Sequence, residues 1–402
     1  MKVNKWTMSL TALGLVSTPA TGSAEEKVNQ VWTALSSTTI SGYVNTSMHW
    51  NLGTGNASVP IYSYNTPDKQ DGFNLNVVKL AIEKPLDETL WAAGYKVDLL
   101  FGPDANSYAT GSLYANNGDF NIKQAYVDLR TPVGNGLDFK VGVFDTVVGY
   151  EAFDAGNNAN YSRSYGFTIE PTTHTGVLGS YGVNKFVSIS VGIANTQGPA
   201  INERANPPKA ESYKTYLGSL FLTAPDDWGF IAGSTLYAAV VNGFASVNSG
   251  LEADQTSWYV GTTLNTPVKN LKVGASFDYL GTTGEFGADH VYANAWALYS
   301  SFQATEKLSL HLRGEYASTD TSLLGSAANL PGGNSEVFAL TGTLQYDLWK
   351  NVLSRLEIRW DHLAGDNAMT GYGTAIDPET GDRIAGHKRN NVLIAANIIY
   401  KF

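Results

Sequence analysis

The sequence predicts an all-β fold, a transmembrane antiparallel β-barrel of about 16 strands, and three observations carry that prediction. Segments of roughly ten residues alternate apolar and polar side chains, the pattern of a strand with one face in lipid. Short and long connections alternate between these segments without exception. No stretch offers the roughly eighteen uninterrupted apolar residues that a membrane-spanning helix needs.

The N-terminus has the pattern of a secretory signal peptide over residues 1–24. Lys2 and Lys5 supply a basic start, a short apolar stretch follows, and small residues precede the expected cut. Residues 25–38 would then form a short periplasmic leader. The spacing of its apolar residues fits one face of a short helix, and an irregular segment fits equally well. The barrel is expected over residues 39–402.

The composition is typical of an exported barrel. The chain has no Cys, which excludes disulfides, thiolate metal sites and a Cys nucleophile. Only 15% of its residues are charged, whereas a soluble globular chain usually carries about 25%. A wall that faces lipid needs few surface charges, so outer-membrane lipid and lipopolysaccharide are the expected surroundings. The net charge of −10 argues against nucleic acid as a partner.

The strands follow from the two-residue period, with short turns expected on the periplasmic side and long loops outside. An even number of strands places both chain ends on the periplasmic side. The predicted strands are 39–51, 73–84, 91–101, 121–131, 137–146, 174–183, 186–196, 213–223, 229–242, 256–266, 271–281, 290–304, 307–318, 335–348, 352–364 and 389–402.

The last predicted strand resembles the closing strand of bacterial outer-membrane barrels. Counting back by twos from Phe402 gives a fully apolar face, with Tyr400 as a second aromatic, while the other face is mixed and partly polar. Trp91, Trp228 and Trp349 lie beside short turns, where an interfacial aromatic girdle is expected. These features predict a bacterial outer-membrane location.

Charged side chains recur on one face of several predicted strands. A charge on the lipid face would cost about 2–4 kcal/mol at mid-membrane, so these residues are expected to face inward. A barrel of about 16 strands leaves an aqueous channel. Each charge can serve either as a wall salt bridge or in selecting solutes. The candidate pore-wall charges are Lys79, Lys96, Lys140, Arg313, Glu315, Arg355, Glu357, Arg359 and Asp361.

The stretches 124–129 (QAYVDL) and 137–144 (LDFKVGVF) resemble the OmpL-like β-barrel porin family, within the 16-stranded outer-membrane porins. The resemblance covers essentially the mature chain. It implies a water-filled channel for passive diffusion of small hydrophilic solutes or ions, without naming a solute. It also implies a homotrimer, for which small-residue outer faces in strands 6, 7 and 9 offer a contact.

The resemblance further implies that the connection after strand 5, Val147–Thr173, folds inward as a constriction loop. Its candidate pore-lining residues are Tyr150, Glu151, Asp154 and Arg163. The acidic ones are expected to oppose basic wall residues across the gap, which would select solutes by size and charge. The loop lacks the Pro-Glu-Phe-Gly-Gly type of tip, and the wall arginines alternate with carboxylates, so neutralisation of the wall charges stays open.

Two other classes of function remain. A surface adhesin or receptor barrel with a closed lumen is the main alternative, because long loops rich in Asn, Gly and Ser also suit binding. An outer-membrane enzyme is the least favoured, since none of the six His residues lies in a nucleophile or His-Glu-x-x-His context. We expect no catalytic residue, no metal site and no cofactor.

Overall fold

The computed structural model describes residues 30–33, 36–56, 69–87, 89, 91–108, 119–205, 212–244, 254–282, 291–319, 335–364, 371–376, 379–381, 383–386 and 388–402. The predicted signal peptide lies outside these residues. Within the described ranges, no helix is both long enough and apolar enough to cross a membrane.

Sixteen antiparallel strands form one closed barrel, which confirms the predicted fold class. Each strand pairs with the next along the chain, and the last pairs with the first. The barrel strands are β1 Ser36–Leu52, β2 Gly72–Lys84, β3 Ala93–Phe101, β4 Phe120–Thr131, β5 Leu137–Asp145, β6 Thr173–Asn184, β7 Val187–Ala194, β8 Thr215–Thr223, β9 Thr235–Phe244, β10 Asp254–Asn265, β11 Leu271–Thr282, β12 Val291–Gln303, β13 Leu308–Thr319, β14 Ser335–Trp349, β15 Val352–Leu363 and β16 Asn390–Lys401.

Smaller elements lie in the connections. Two short helices are α1 Pro103–Tyr108 and α2 Tyr165–Ile169, and 3₁₀ turns cover Ala155–Asn157 and Gly229–Ile231. Gly371–Ile376 and Arg383–Gly386 pair as a separate hairpin.

Two details go beyond the sequence prediction. Gln30–Thr33, inside the segment considered for a helix, is a short strand antiparallel to the start of β1. Its β-branched Val31 and Thr33 favour an extended backbone. The ninth strand begins at Thr235 rather than at residue 229, because Gly229 and Gly233 have φ of 63° and 75° and turn the chain there.

The two faces of the strands differ as lipid and lumen require. In β15, Leu356 and Ile358 point outward and are 52% and 54% exposed, whereas Arg355, Glu357 and Arg359 point inward and are buried. The outer residues are the ones that lipid would cover.

The barrel closes between β16 and β1 beside the last residue. The backbone N–H of Phe402 donates to the Gly42 carbonyl and the N–H of Gly42 to the Phe402 carbonyl, both at 3.0 Å. A Cβ on Gly42 would clash with the Lys79 carbonyl oxygen and would lie 2.7 Å from the Phe402 ring, so this glycine makes room for both. Trp91 and Trp349 are 76% and 72% exposed beside their turns, as a girdle requires.

Candidate pore and its inward loop

The connection between β5 and β6, residues 146–172, lies inside the barrel; this segment is called the inward loop below. Its first residues, Val147 and Val148, join a buried apolar cluster with Phe144, Leu178 and Tyr237 of the wall. The Tyr237 hydroxyl donates to the Val147 carbonyl. The loop therefore leaves β5 along the inner wall, not toward the outside.

The middle of the loop contacts the wall around β1 and β2 and around β15 and β16. Asp154 accepts hydrogen bonds from the Lys79 ammonium at 2.8 Å and from the Tyr43 hydroxyl at 3.0 Å. Arg355 donates to the carbonyls of Ala155, at 2.9 Å, and Asn158. Because opposite charges surround it, the pKa of Asp154 is lowered despite its burial; Lys79 is the main charged cause.

Arg313 ties the loop to β13, which is eight strands from β5 and thus half the circumference away. Its guanidinium donates to Glu151 and Glu315, each at 2.7 Å, and to the Ser162 carbonyl at 2.8 Å. A further bond reaches the Arg163 carbonyl at 3.1 Å. The loop thus crosses the interior and is held on the far side by charge-assisted bonds.

The next anchor is on β15. Arg359 donates to the Arg163 carbonyl at 2.6 Å and to Asp361 at 3.0 Å. Its guanidinium lies 5.0 Å from the centre of the Tyr165 ring, and the Tyr165 hydroxyl donates to Asp361 at 2.8 Å. Every partner in this group is buried, so the interaction is shielded from water.

Glu357 acts as an anchor for the loop backbone. Its carboxylate accepts from the N–H groups of Tyr161 at 2.6 Å and Ser162 at 2.9 Å, and from the Thr343 hydroxyl at 2.7 Å. Three donors satisfy this buried charge, and no cation from the described part of the chain lies at ion-pair distance. We call the inner faces of β13 to β15 the loop-bound wall, because most of their charges bind the loop.

The loop returns to β6 through α2. Ser164 caps this helix by accepting from the Phe167 N–H at 3.2 Å. After the helix, the Glu170 carboxyl is hydrogen-bonded to Asp278 of β11. Burial, and then the charge of Asp278, raise the pKa of Glu170 well above its usual value. The two carboxyls hold together only while they share a proton.

Four lysines, one on each of β2 to β5, line the inner wall between the start of the loop after β5 and its contact with β1 and β2. We call this surface the lysine wall. Lys79 lies 3.0 Å from Asp98, and Lys96 lies 3.0 Å from Glu83. Lys123 pairs with Asp145 at 2.5 Å. The Lys140 ammonium instead lies 4.8 Å from the centre of the Tyr126 ring.

The candidate residues thus fall into different environments. Tyr150 stacks on Tyr299 with ring centres 4.1 Å apart and hydrogen-bonds Thr263 at 3.0 Å. Arg163 braces the loop itself, donating to the Phe153 carbonyl at 2.7 Å. Arg313, Arg355 and Arg359 and their neighbouring carboxylates hold the loop. Lys96 and Lys140 keep half-exposed side chains.

Sequence reasoning missed Lys123, Asp278 and Glu170. Counted by twos from Val127 and Leu129, Lys123 should face outward. A bulge opposite Asp98 inserts one extra residue in β4 and turns the Lys123 side chain inward. The loop pairs leave no local trace, because their partners are far apart in the chain. Among the described residues, no three His, Cys, Asp or Glu side chains are placed to hold a metal ion.

A family model described as "Putative beta-barrel porin-2, OmpL-like" matches residues 37–402. The chain belongs to this porin family. The resemblance drawn from the sequence is therefore confirmed, and the location is the bacterial outer membrane. No curated protein sequence matches the chain.

Solved structures share the porin's fold at low identity. The anion-selective porin from Comamonas acidovorans aligns with a TM-score of 0.60 at 13% identity, over 91% of this chain and 99% of that chain. The outer membrane channel DcaP of Acinetobacter baumannii aligns with a TM-score of 0.58 at 13% identity, over 93% of this chain and 99% of that chain. The trimer form of in-vitro folded OmpT of Vibrio cholerae aligns with a TM-score of 0.54 at 12% identity, over 91% of this chain and 99% of that chain.

Proposed function

We propose that this porin is a water-filled channel for passive diffusion of small hydrophilic solutes, narrowed by the inward loop. The observation that carries the proposal is the closed 16-stranded barrel with charged residues on its inner face and apolar residues outside. A barrel of this size leaves an aqueous channel unless something fills it. Catalysis forms no part of the proposal.

The remaining passage is proposed to run between the loop and the lysine wall. On the loop-bound wall, Arg313 and Arg359 are fully buried, so solutes cannot reach them. On the lysine wall, Lys96 is 27% exposed and its partner Glu83 is 36% exposed. The partly buried loop residue Asp154, which is 22% exposed, faces the same wall through Lys79. Water and ions would meet these side chains.

Single-channel recording in a planar bilayer tests the channel, and the absence of Cys allows a sharper test of the loop. Ala159 lies half-buried on the loop, so a sulfonate-bearing methanethiosulfonate reagent should react with Ala159→Cys and reduce the conductance stepwise. Ala304→Cys, in an exposed turn, is the matched control and should show no step. Equal conductance before and after complete labelling of Ala159→Cys would show that the loop does not line the path of the ions.

We also propose a homotrimer formed through the outer face of β6 to β9. Most of its outward residues are small or aliphatic, such as Val177, Gly179 and Val191, and Tyr216 is an aromatic exception. Trp258 and Trp296 mark nearby strands as a lipid-facing surface. Val191→Trp should lower the trimer fraction measured by native mass spectrometry in detergent. Leu298→Trp, on the aromatic-rich face, should leave it unchanged. A monomeric wild-type barrel would refute the assembly.

A further inference from the structure

One cation on the lysine wall differs from the other three. Lys79, Lys96 and Lys123 each have a carboxylate oxygen at 3.0 Å or closer. Among the described residues, no carboxylate oxygen lies within the 4.0 Å ion-pair distance of the Lys140 ammonium. Lys140 is nevertheless half-exposed on the inner face. It is therefore the one lysine of this wall without an ion pair among the described residues, although Asp128 and Asp145 act on its charge from longer range.

The strand register explains where this ammonium points. Asp128 lies directly across from Lys140 on β4, yet the lysine turns away from it and over the Tyr126 ring. Gly142 is directly across from Tyr126 on that side and has no side chain to fill the space. On the other side, Lys96 of β3 is the direct neighbour of Tyr126. Lys140 thus covers the half-exposed ring, while the Lys96 ammonium on the adjacent strand is directed to Glu83.

This arrangement lies at the level of the inward loop. Tyr126 packs against the apolar cluster that contains Val147 and Val148, the first residues of the loop. The Lys140 ammonium therefore lies beside the proposed passage between the loop and the lysine wall. A cation over an aromatic face keeps its N–H donors available for an anion, because the ring attracts the charge without accepting strong hydrogen bonds.

We propose that Lys140, assisted by Lys96, is an anion-binding subsite in the channel, taking the carboxylate or phosphate group of small anionic solutes. The proposal rests on the proposed channel function and adds its solute class. A single unpaired charge at about 5 Å in a water-like medium changes the local anion concentration roughly fourfold. Lys140 thereby shifts the channel toward anions, while the paired lysines contribute less.

The test compares Lys140→Gln with Lys140→Arg and with Lys307→Gln, whose lysine is exposed in the turn before β13. In a KCl gradient, the reversal potential should show the chloride-to-potassium permeability ratio falling about fourfold in Lys140→Gln. Lys140→Arg and Lys307→Gln should keep the wild-type ratio. Wild-type conductance steps in Lys140→Gln with an unchanged ratio would overturn the subsite.

A second measurement separates this inference from the channel proposal. Inorganic phosphate is titrated onto the detergent-folded barrel, and its ³¹P line width is followed. Saturable broadening that Lys140→Gln abolishes, and Lys307→Gln retains, supports the subsite even if no current flows. Equal broadening in all variants would overturn it. A folded wild-type barrel without conductance would instead refute the channel while leaving the phosphate result to decide the subsite.

Discussion

The loop-bound wall and the lysine wall carry similar charges but differ in what those charges touch. Arg313 on the loop-bound wall is fully buried and binds two carboxylates and the loop backbone. Lys96 on the lysine wall is 27% exposed and pairs with a carboxylate that is more exposed still. An inward charge is thus part of the pore only where the loop leaves it uncovered.

The largest effect is expected from breaking the loop-bound wall at its centre. Arg313→Met removes the cation between Glu151 and Glu315 and leaves both carboxylates buried. Losing one partner of such a buried pair costs about 3–5 kcal/mol. We expect the loop to detach locally, giving larger and noisier conductance steps and a lower unfolding temperature in gel-shift assays.

The matched control for Arg313→Met is Lys185→Ala. Lys185 and Asp226 are 3.8 Å apart and 60% and 95% exposed. A surface pair of this kind contributes about 0–1 kcal/mol, so neither conductance nor unfolding should change measurably. Wild-type steps and stability in Arg313→Met would show that the loop is held by its apolar cluster instead.

The two walls also differ in how much of their structure could be predicted from the sequence. The strands were predictable because the two-residue period is local and lipid enforces it on every outer residue. The network on the loop-bound wall was not, since Arg313 and Ser162 are 151 positions apart. At Lys123 the period itself misleads, because the bulge on β4 inserts one residue and inverts which face the side chain takes.

An intermediate effect is expected where α2 rejoins the wall. The pKa of Glu170 is raised above the ordinary value of 4.5, so the contact with Asp278 is complete below that value. It is lost as the pH rises through the raised pKa, because the second carboxyl then ionises against the first. We expect the unfolding temperature to fall with rising pH in this range.

Glu170→Gln should flatten this pH dependence, since the amide keeps a donor for Asp278 and has no proton to lose. Glu306→Gln, in an exposed turn, is the control and should retain the wild-type slope. The measurement is the gel-shift unfolding temperature at several pH values between 5 and 9, a range chosen to lie above 4.5. An unchanged slope in Glu170→Gln would assign the pH dependence to other groups.

The smallest change in stability is expected for a substitution on the lysine wall. This substitution tests most directly whether the two walls differ in what their charges do. Lys96→Gln removes a half-exposed cation whose partner Glu83 can return to water, while buried Asp98, 4.0 Å from Lys96, keeps Lys79 at 3.0 Å. The free energy of unfolding should therefore change by less than about 1 kcal/mol. The same change leaves Glu83 uncompensated beside the proposed passage and should move the reversal potential toward cation preference. Arg313→Met should instead act mainly on stability, with a large loss. If Lys96→Gln instead destabilised the barrel as strongly as Arg313→Met, the two walls would be equivalent structural networks and the passage would have to lie elsewhere.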